Sequence, residues 1–208
     1  MMTWTPARHR VAIAGHVTDA VSQKAVVGAE VTILEMPPAF KQKLQHAGAS
    51  RTLDKARTGK NGLFYFLDLP DGKYVLVASL PGAGKRYGNA QQKAKVSRDE
   101  KGDTKIAFVN LTLQPTVVKG KITGAGHKAG VVMAQVQVKG SGERAFSDLQ
   151  GEYKLTAIEP GSRTLQVFAQ GYRPASEVLL IVPGEIKTQD FDLGKGPQVI
   201  RRNGPTQE

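Results

Sequence analysis

Short runs of alternating apolar and polar residues recur along the chain, and they predict many short β-strands. The clearest run lies in residues 58–78, TGKNGLFYFLDLPDGKYVLVA. In it Phe64 and Phe66 fall on one strand face and Tyr65 on the other, because successive side chains of a strand point to opposite faces. Residues 69–72 (Leu-Pro-Asp-Gly) have the composition of a tight turn. The run therefore predicts a hairpin, whose second strand is apolar on both faces and central in its sheet.

A second copy of this pattern occupies residues 147–169, SDLQGEYKLTAIEPGSRTLQVFA. An offset of 89 residues pairs Gly62 with Gly151, Phe64 with Tyr153 and Leu76 with Leu165. Upstream, residues 15–18 (GHVT) align with residues 120–123 (GKIT) at an offset of 105. Offsets that hold over glycines and the apolar positions between them indicate an internal repeat. The two offsets differ by 16 residues (105 − 89), so the first copy carries an insertion of that size.

The repeat predicts an all-β protein of two tandem β-sandwiches, the first with a short helical insertion. The length of 208 residues also suits two domains. The predicted parts are a lead-in at 1–9, a first domain at 10–114 with its insertion at 35–57, a second domain at 115–194 and a disordered polar tail at 195–208. Among the predicted strands are Lys105–Leu113, Val131–Lys139 and Ile186–Leu193.

The insertion interrupts the β pattern with a helical one. Pro38 suits the first turn of a helix, where a missing N–H leaves nothing unbonded. Phe40, Leu44 and Ala47 then recur at helical spacing and form one apolar stripe. The pattern predicts a short amphipathic helix over Ala39–Ala47, followed by a basic loop. Long loops on a rigid sandwich often carry function, and this one either binds a partner or caps an open end of the sandwich.

The basic residues concentrate in the first half of the chain. The net charge is +11, and residues 1–114 contribute +8 of it, from 17 basic and 9 acidic side chains. The segment Lys73–Lys95 contains no acidic residue. Such a field favours anionic partners, namely nucleic acid, an anionic membrane surface or an acidic protein face. The alternative is that the charge serves solubility alone.

The sequence lacks the residue patterns of an active site, so no catalytic residue, metal ligand or cofactor is predicted. The chain has no cysteine, and its four histidines do not fall at metal-ligand spacing. Residues 81–88 (PGAGKRYG) resemble a phosphate-binding loop but lack its spacing. Asp68 and Asp71 have the spacing of turn-capping residues, and the pair Asp190 and Asp192 is too small a set for a calcium site.

The N-terminal sequence MMTWTPARHRVAIAGHV has no uninterrupted apolar stretch of the kind found in secretory signals. No run approaches the ~18 apolar residues of a membrane-spanning helix. Together with the absence of cysteine, this predicts a cytoplasmic location.

The repeated motifs resemble a known domain family. Each copy has a strand ending in G-x-[VI]-T, an A-x-V strand (Ala29-Glu30-Val31 and Ala134-Gln135-Val136) and the hairpin motif G-x-[FY]-x-[FL]-x-x-[LI]. This combination resembles the carboxypeptidase regulatory-like domain, a seven-stranded Ig/transthyretin-like (prealbumin-like) β-sandwich, over residues 10–113 and 115–193, and so implies two tandem seven-stranded sandwiches. Domains of that family are non-catalytic accessories, so the resemblance implies that this chain is not an enzyme. The given sequence does not have the terminal Tyr-Arg-Gly-Ser motif of hydroxyisourate hydrolase, an enzyme with a transthyretin-like fold, so that activity is not expected.

The functional prediction is a structural or adaptor subunit that contacts other protein subunits in a larger assembly, with phage-tail-like contractile injection machinery as one analogy. The alternative is a basic module that binds an anionic polymer or membrane surface, and carbohydrate binding ranks third because only 6% of the residues are aromatic. No small-molecule substrate is expected. The candidate partner-binding residues lie in the insertion and in the later basic loop: Phe40, Lys41, Lys43, Leu44, Arg51, Lys55, Lys85, Arg86 and Tyr87.

Overall fold

A computed structural model describes residues 9–46 and 53–196, and the chain separates into two compact units, Met1–Pro115 and Thr116–Glu208. Both units are all-β, apart from one short α-helix in the described part of the first. The predicted fold class is thereby confirmed. No helix within the described ranges combines the length and apolarity that a membrane crossing requires.

Unit 1 is a sandwich of a three-stranded sheet, in the order β4-β1-β8, and a five-stranded sheet, in the order β3-β2-β5-β6-β7. Its elements are β1 (Val11–Asp19), β2 (Glu30–Glu35), α1 (Pro38–His46), β3 (Lys55–Arg57), β4 (Leu63–Leu67), β5 (Gly72–Ser79), β6 (Ala90–Arg98), β7 (Thr104–Lys105) and β8 (Ala107–Leu113). Strand β5 lies between β2 and β6, so the predicted central strand is confirmed. Phe64 and Phe66 face the core, and Tyr65 faces out.

Unit 2 repeats this arrangement. One sheet has the order β10-β9-β13, with β16 and β17 also paired to β9, and the other has the order β12-β11-β14-β15. The elements are β9 (Val117–Gly124), β10 (His127–Gly130), β11 (Gln135–Val138), β12 (Arg144–Phe146), β13 (Glu152–Thr156), β14 (Gly161–Phe168), β15 (Ala175–Ile181), β16 (Ile186–Thr188) and β17 (Phe191–Leu193). Each unit encloses its own apolar core, and Leu76 and Leu165 occupy equivalent, fully buried places.

In both units the first strand runs parallel to the last. Strand β1 pairs with β8, and β9 pairs with β16 and β17. At one position of the first strand, the backbone of the last strand comes so close that only a glycine fits there. A Cβ atom on Gly15 would lie 2.1 Å from the Val109 carbonyl oxygen, and one on Gly120 would lie 1.8 Å from that of Gln189. This contact explains why a glycine opens the repeated G-x-[VI]-T motif.

A buried hydroxyl joins two connecting segments at the same place in each unit. The Thr58 hydroxyl donates to the Val26 carbonyl (2.7 Å) and accepts from the Ala29 N–H (2.8 Å). In unit 2 the Ser147 hydroxyl donates to Val131 (2.6 Å) and accepts from Ala134 (2.9 Å). These residues are equivalent in the repeat, and both side chains are buried. We call this arrangement the hydroxyl clasp; the sequence analysis assigned no role to either residue.

Three predicted strands are wrong in extent. Lys105–Leu113 is interrupted at Ile106, because the chain leaves the sheet containing β6 and joins the sheet containing β1. Val131–Lys139 shortens to Gln135–Val138, because Met133 has a φ of 57°, outside the strand region. Ile186–Leu193 divides into β16 and β17, where the Asp190 carboxylate instead accepts the N–H of Lys121 (2.7 Å).

The structure describes only part of the predicted lead-in and of the predicted tail. Residues 1–8 and 197–208 lie outside the described ranges, so the predicted disorder of the tail is not tested there. Lys195 and Gly196 are described, and they are not loose. Lys195 forms a β-bridge with Tyr172, and the Gly196 N–H donates to the Gly171 carbonyl (2.9 Å).

Candidate functional site

The outer face of the five-stranded sheet of unit 1 carries a concentration of cations. The side chains of β5 and β6 alternate, so Tyr74, Leu76, Ala94 and Val96 turn inward and the residues between them face out. We define the basic face as the exposed cations that this alternation and the strand pairing place together: Lys55, Arg57, Lys73, Lys93, Lys95 and Lys105.

At the centre of the basic face two lysines lie directly opposite each other. The register of β5 and β6 pairs Lys73 with Lys95 and Val75 with Lys93. Like charges at directly opposed positions of an antiparallel pair destabilise the sheet, typically by a few tenths of a kcal/mol up to about 1 kcal/mol. The same opposition occurs in unit 2, where the pairing of β9 with β13 places Lys119 opposite Lys154, so opposed lysines alone do not mark a binding site.

A groove of about 440 Å³ runs between these lysines. Its floor includes Val75, which is only 5% exposed although it faces outward. Lys73, Lys93 and Lys95 line the groove together with Glu35, so three cations face one carboxylate. The site therefore has an apolar floor and a positive rim, which suits an anionic group carried on an extended chain.

The central lysines have no acidic partner in the part of the chain that the structure describes. Lys55 forms an ion pair with Glu30 (3.2 Å), and Arg98 beside the face pairs with Asp71 (2.7 Å). Lys73, Lys93 and Lys95 form no ion pair there. Their charges stay available to a ligand.

The predicted helix is confirmed at Pro38–His46, but one of its candidate binding residues is wrong. Phe40 is 1% exposed and belongs to the core of unit 1, where its ring meets that of Tyr74 edge-on at 6.1 Å. Leu44 is half-buried against the same core. The apolar stripe of α1 is therefore used for folding, because it fills the space between the two sheets beside the β4–β5 turn.

The cationic residues of the insertion are dispersed. Lys41 is exposed on α1, and Lys43 donates to the Asp68 carbonyl (3.2 Å) at the β4–β5 turn. Lys55 lies on β3, at the edge of the basic face. Arg51 lies outside the described residues.

In the later loop, Tyr87 is half-buried, and its role as a partner-binding residue stays a prediction. Its hydroxyl donates to the Asp19 carboxylate (2.9 Å), and its ring packs against the core. Burial, together with this hydrogen bond, raises the pKa of Tyr87 to about 12. Burial alone would raise the pKa of Asp19, but hydrogen bonds from the Ser22 N–H and from Tyr87 outweigh it and hold that pKa below its usual value. The ring of Tyr87 therefore anchors the loop to the sandwich.

The predicted candidates do not form one site. Lys85 is exposed and Arg86 half-buried, and both lie in the loop that follows the end of β5, whereas α1 packs near its start. Eight strand residues separate the two regions, a distance of about 26 Å at ~3.3 Å per residue. The basic face lies between them.

The sequence contained one signal for the basic face, the acid-free segment Lys73–Lys95, but none of its central lysines was singled out. Spacing alone places Lys93 and Lys95 on one face of a strand. Their position opposite Lys73 depends on the register of two strands joined by a long loop, and strand alternation does not give that register.

The remaining chemical motifs have structural roles. The His16 ring nitrogen Nε2 lies 2.7 Å from the Asn61 carbonyl oxygen, within hydrogen-bonding distance. Asp68 accepts the N–H of Arg10 (2.9 Å) and contacts His9, and these interactions, in that order, lower its pKa. Within the described ranges no three His, Cys, Asp or Glu side chains form a group that could hold a metal ion.

Unit 2 has a groove of about 580 Å³ on the outer face of the sheet that contains β9. Its charged lining consists of Lys119, Lys121 and Lys154 with Asp148, Glu152 and Asp190. These charges balance, unlike those of the basic face. The lysines of this groove are therefore suitable controls for the lysines of unit 1.

Comparison with known families gives one match. Residues 117–194, which fall within unit 2, match the model of the carboxypeptidase regulatory-like domain. The resemblance inferred from the repeat is thereby confirmed for the second copy. For the first copy it stays a prediction, supported by the shared glycine contact and hydroxyl clasp. A search of curated proteins found no match.

Several solved structures are similar at low identity. The shaft pilin SpaA of Lactobacillus rhamnosus GG is 12% identical, with 92% of this chain and 99% of that chain covered and a TM-score of 0.42. The minor pilin GBS52 of Streptococcus agalactiae is 13% identical, with coverages of 92% and 98% and a TM-score of 0.34. A chain of a type II cohesin–X–dockerin complex from Acetivibrio cellulolyticus is 18% identical over 45% of this chain and 64% of its own length, with a TM-score of 0.37. At these scores, no conclusion about function follows.

Proposed function

We propose that this chain is a non-enzymatic adaptor subunit that uses the basic face of unit 1 to hold an acidic surface of a partner protein. The observation that carries the proposal is the charge of the groove in unit 1, where Lys73, Lys93 and Lys95 lie with a single carboxylate, that of Glu35, and form no ion pair among the described residues. The kind of assembly, phage-tail-like machinery included, stays a prediction.

The repeat supports a binding role for these lysines. The equivalents of Lys73 and Lys95 in unit 2 are Ser162 and Leu180, which are paired in the same register. The fold therefore forms without a cation at either place. Unit 2 also has two opposed lysines, Lys119 and Lys154, but three acidic residues line the same groove. The uncompensated charge of the groove in unit 1 is therefore what favours ligand binding.

The composition of the basic face favours a protein over a single-stranded nucleic acid. Proteins that bind single strands place aromatic rings among the cations so that bases can stack on them. The basic face exposes no aromatic ring in its described part, and the nearby Tyr74 is directed into the core, where burial raises its pKa to about 12. A groove with an apolar floor and a cationic rim suits carboxylates on a polypeptide.

The proposal is tested with charge-reversed variants of the full chain. One variant combines Lys73→Glu, Lys93→Glu and Lys95→Glu. Its matched control combines Lys119→Glu, Lys121→Glu and Lys154→Glu, which changes the net charge equally on an exposed face of unit 2. The probes are a fluorescent 20-residue poly-glutamate peptide, a 20-nucleotide oligo-dT and phosphatidylglycerol vesicles, each titrated at two salt concentrations.

We expect the peptide to bind the parent chain and the control, and to bind the unit 1 variant at least about tenfold more weakly, with binding that weakens as salt rises. Equal peptide binding by both variants would contradict the proposal. Tighter, strongly salt-dependent binding of oligo-dT or of vesicles would replace it with the anionic-polymer or membrane alternative.

A further inference from the structure

A second interaction surface lies on unit 2, and it is a strand edge. Strand β15 ends the order of its four-stranded sheet and pairs on one side only, with β14. Among the described residues, no backbone hydrogen bond reaches residues 175–181 except those of the β14 ladder. Alternate N–H and C=O groups along its 7 residues therefore face away from the sheet without partners.

The side chains along this edge are apolar on their outer face. Val178 is 67% exposed and Leu180 70%, and their spacing of two places them in one row of β15. We call this row the apolar ridge. Val182, which is 54% exposed, directly follows the end of the strand. The alternate residues Leu179 and Ile181 are buried in the core, so the register that exposes the ridge is fixed by the rest of the unit.

The edge has few of the features by which sheets avoid adding strands. Native edges are usually protected by lysines, bulges or covering segments. In unit 1, the equivalent strand β6 has Lys93 and Lys95 at the places of Val178 and Leu180, and its end is paired with β7. On β15 the only charged residue is Glu177, which lies on the opposite side of the strand from the ridge.

We propose that the edge of β15 binds an extended segment of a partner protein, which adds as a further strand to the four-stranded sheet. Free backbone groups specify a strand as the occupant, because another backbone satisfies them in sequence. The ridge selects apolar residues at alternate positions of that strand. Exposed Glu177 favours a basic residue at a position between them.

A second copy of this chain is a poorer occupant than a separate protein. Two copies, each with a net charge of +3 over residues 115–208 and +11 in all, repel each other when they approach edge to edge. A short segment of another protein carries no such penalty. This inference concerns unit 2 and does not depend on the basic face.

The test uses a random 12-residue peptide library displayed on phage and selected against the full chain. The edge variant combines Val178→Lys and Leu180→Lys. Its matched control combines Ser162→Lys and Thr164→Lys. These residues lie on the neighbouring strand β14, directly opposite Leu180 and Val178, so the control adds the same charge away from the edge. Selected peptides are synthesised, their affinities are measured by calorimetry, and amide hydrogen exchange is followed on β15 and β6.

We expect the selected peptides to share alternating apolar residues and to bind the parent chain and the control at least about tenfold more tightly than the edge variant. Their binding should slow exchange of the β15 amides and leave the β6 amides unchanged. The proposal is overturned by peptides that bind the edge variant equally well, or by selections that yield no peptide dependent on the ridge. It is also overturned if rising protein concentration alone protects β15 while sedimentation shows a dimer, because the edge would then join two copies.

Discussion

Strands β5 and β6 of unit 1 and strands β14 and β15 of unit 2 occupy the same place in the repeat but present opposite surfaces. The outer rows of unit 1 pair Lys73 with Lys95 and Val75 with Lys93. The corresponding rows of unit 2 pair Ser162 with Leu180 and Thr164 with Val178. The inner rows of both contain buried apolar residues, namely Tyr74, Leu76, Ala94 and Val96 in unit 1 and Leu165, Val167, Leu179 and Ile181 in unit 2. One scaffold thus supports a cationic face in one copy and an apolar edge in the other.

This difference separates residues that the fold requires from residues that it leaves free. The features that both units share are contacts inside the sandwich. They include the hydroxyl clasp and the close contact between the glycine of the first strand and the backbone of the last strand. Features that differ lie on the outer faces and in α1. Two copies within one chain therefore serve as an internal control for assigning function.

The largest expected effect comes from the shared glycine. Gly15→Ala or Gly120→Ala places a methyl group against a backbone carbonyl, so we expect the affected unit to lose more than about 4 kcal/mol of stability. Calorimetry should show one thermal transition lowered or lost in each variant. The controls are Gly82→Ala and Gly142→Ala, at positions where a Cβ meets nothing within 4 Å. If Gly120→Ala melted like its control, the equivalence of the two units would fail.

An intermediate effect is expected at the hydroxyl clasp. Thr58→Val leaves the buried Ala29 N–H without an acceptor, which should cost about 1–3 kcal/mol in unit 1. Ser147→Ala should cost unit 2 a similar amount. Exchanging the two hydroxyl residues, as Thr58→Ser and Ser147→Thr, preserves the hydrogen bonds and should restore most of the stability in urea denaturation. Equal losses in the valine and serine variants would mean that packing, rather than the hydroxyl, matters at this place.

The smallest effect concerns the outer rows. Replacing Lys73 and Lys95 by their counterparts, as Lys73→Ser and Lys95→Leu, removes the opposed charges and should stabilise unit 1 by about 0.2–1 kcal/mol at low salt. The gain should shrink at high salt, because surface charges are then screened. The reverse exchange in unit 2, Ser162→Lys and Leu180→Lys, should show the opposite sign. A gain in unit 1 that salt leaves unchanged would mean that strand propensity, rather than charge repulsion, separates the two faces.

Much of the fold could be predicted from the sequence, because alternation and the repeat offsets depend on local spacing. The predicted ends of strands were wrong where tertiary contacts determine them, as at Ile106, where the chain passes from one sheet to the other. The apolar stripe of α1 could be predicted from the sequence. Its spacing does not show whether the stripe packs against the core or binds a partner, and in the structure Phe40 packs in the core. The basic face was visible only as a charged segment, because its central feature depends on the pairing of β5 with β6.

The parallel pairing of first and last strands has a consequence for how each unit reaches its folded state. Strand β1 is the middle strand of its sheet, and Ile13 pairs with Ala107, 94 residues further along (107 − 13). Contacts of such long sequence separation make folding slow, in the range of milliseconds to seconds. During synthesis β1 can pair with β4, but its other edge stays unpaired until β8 has been made. Unit 2 repeats the delay at one edge of β9, so nascent chains of this protein carry a half-paired apolar strand twice.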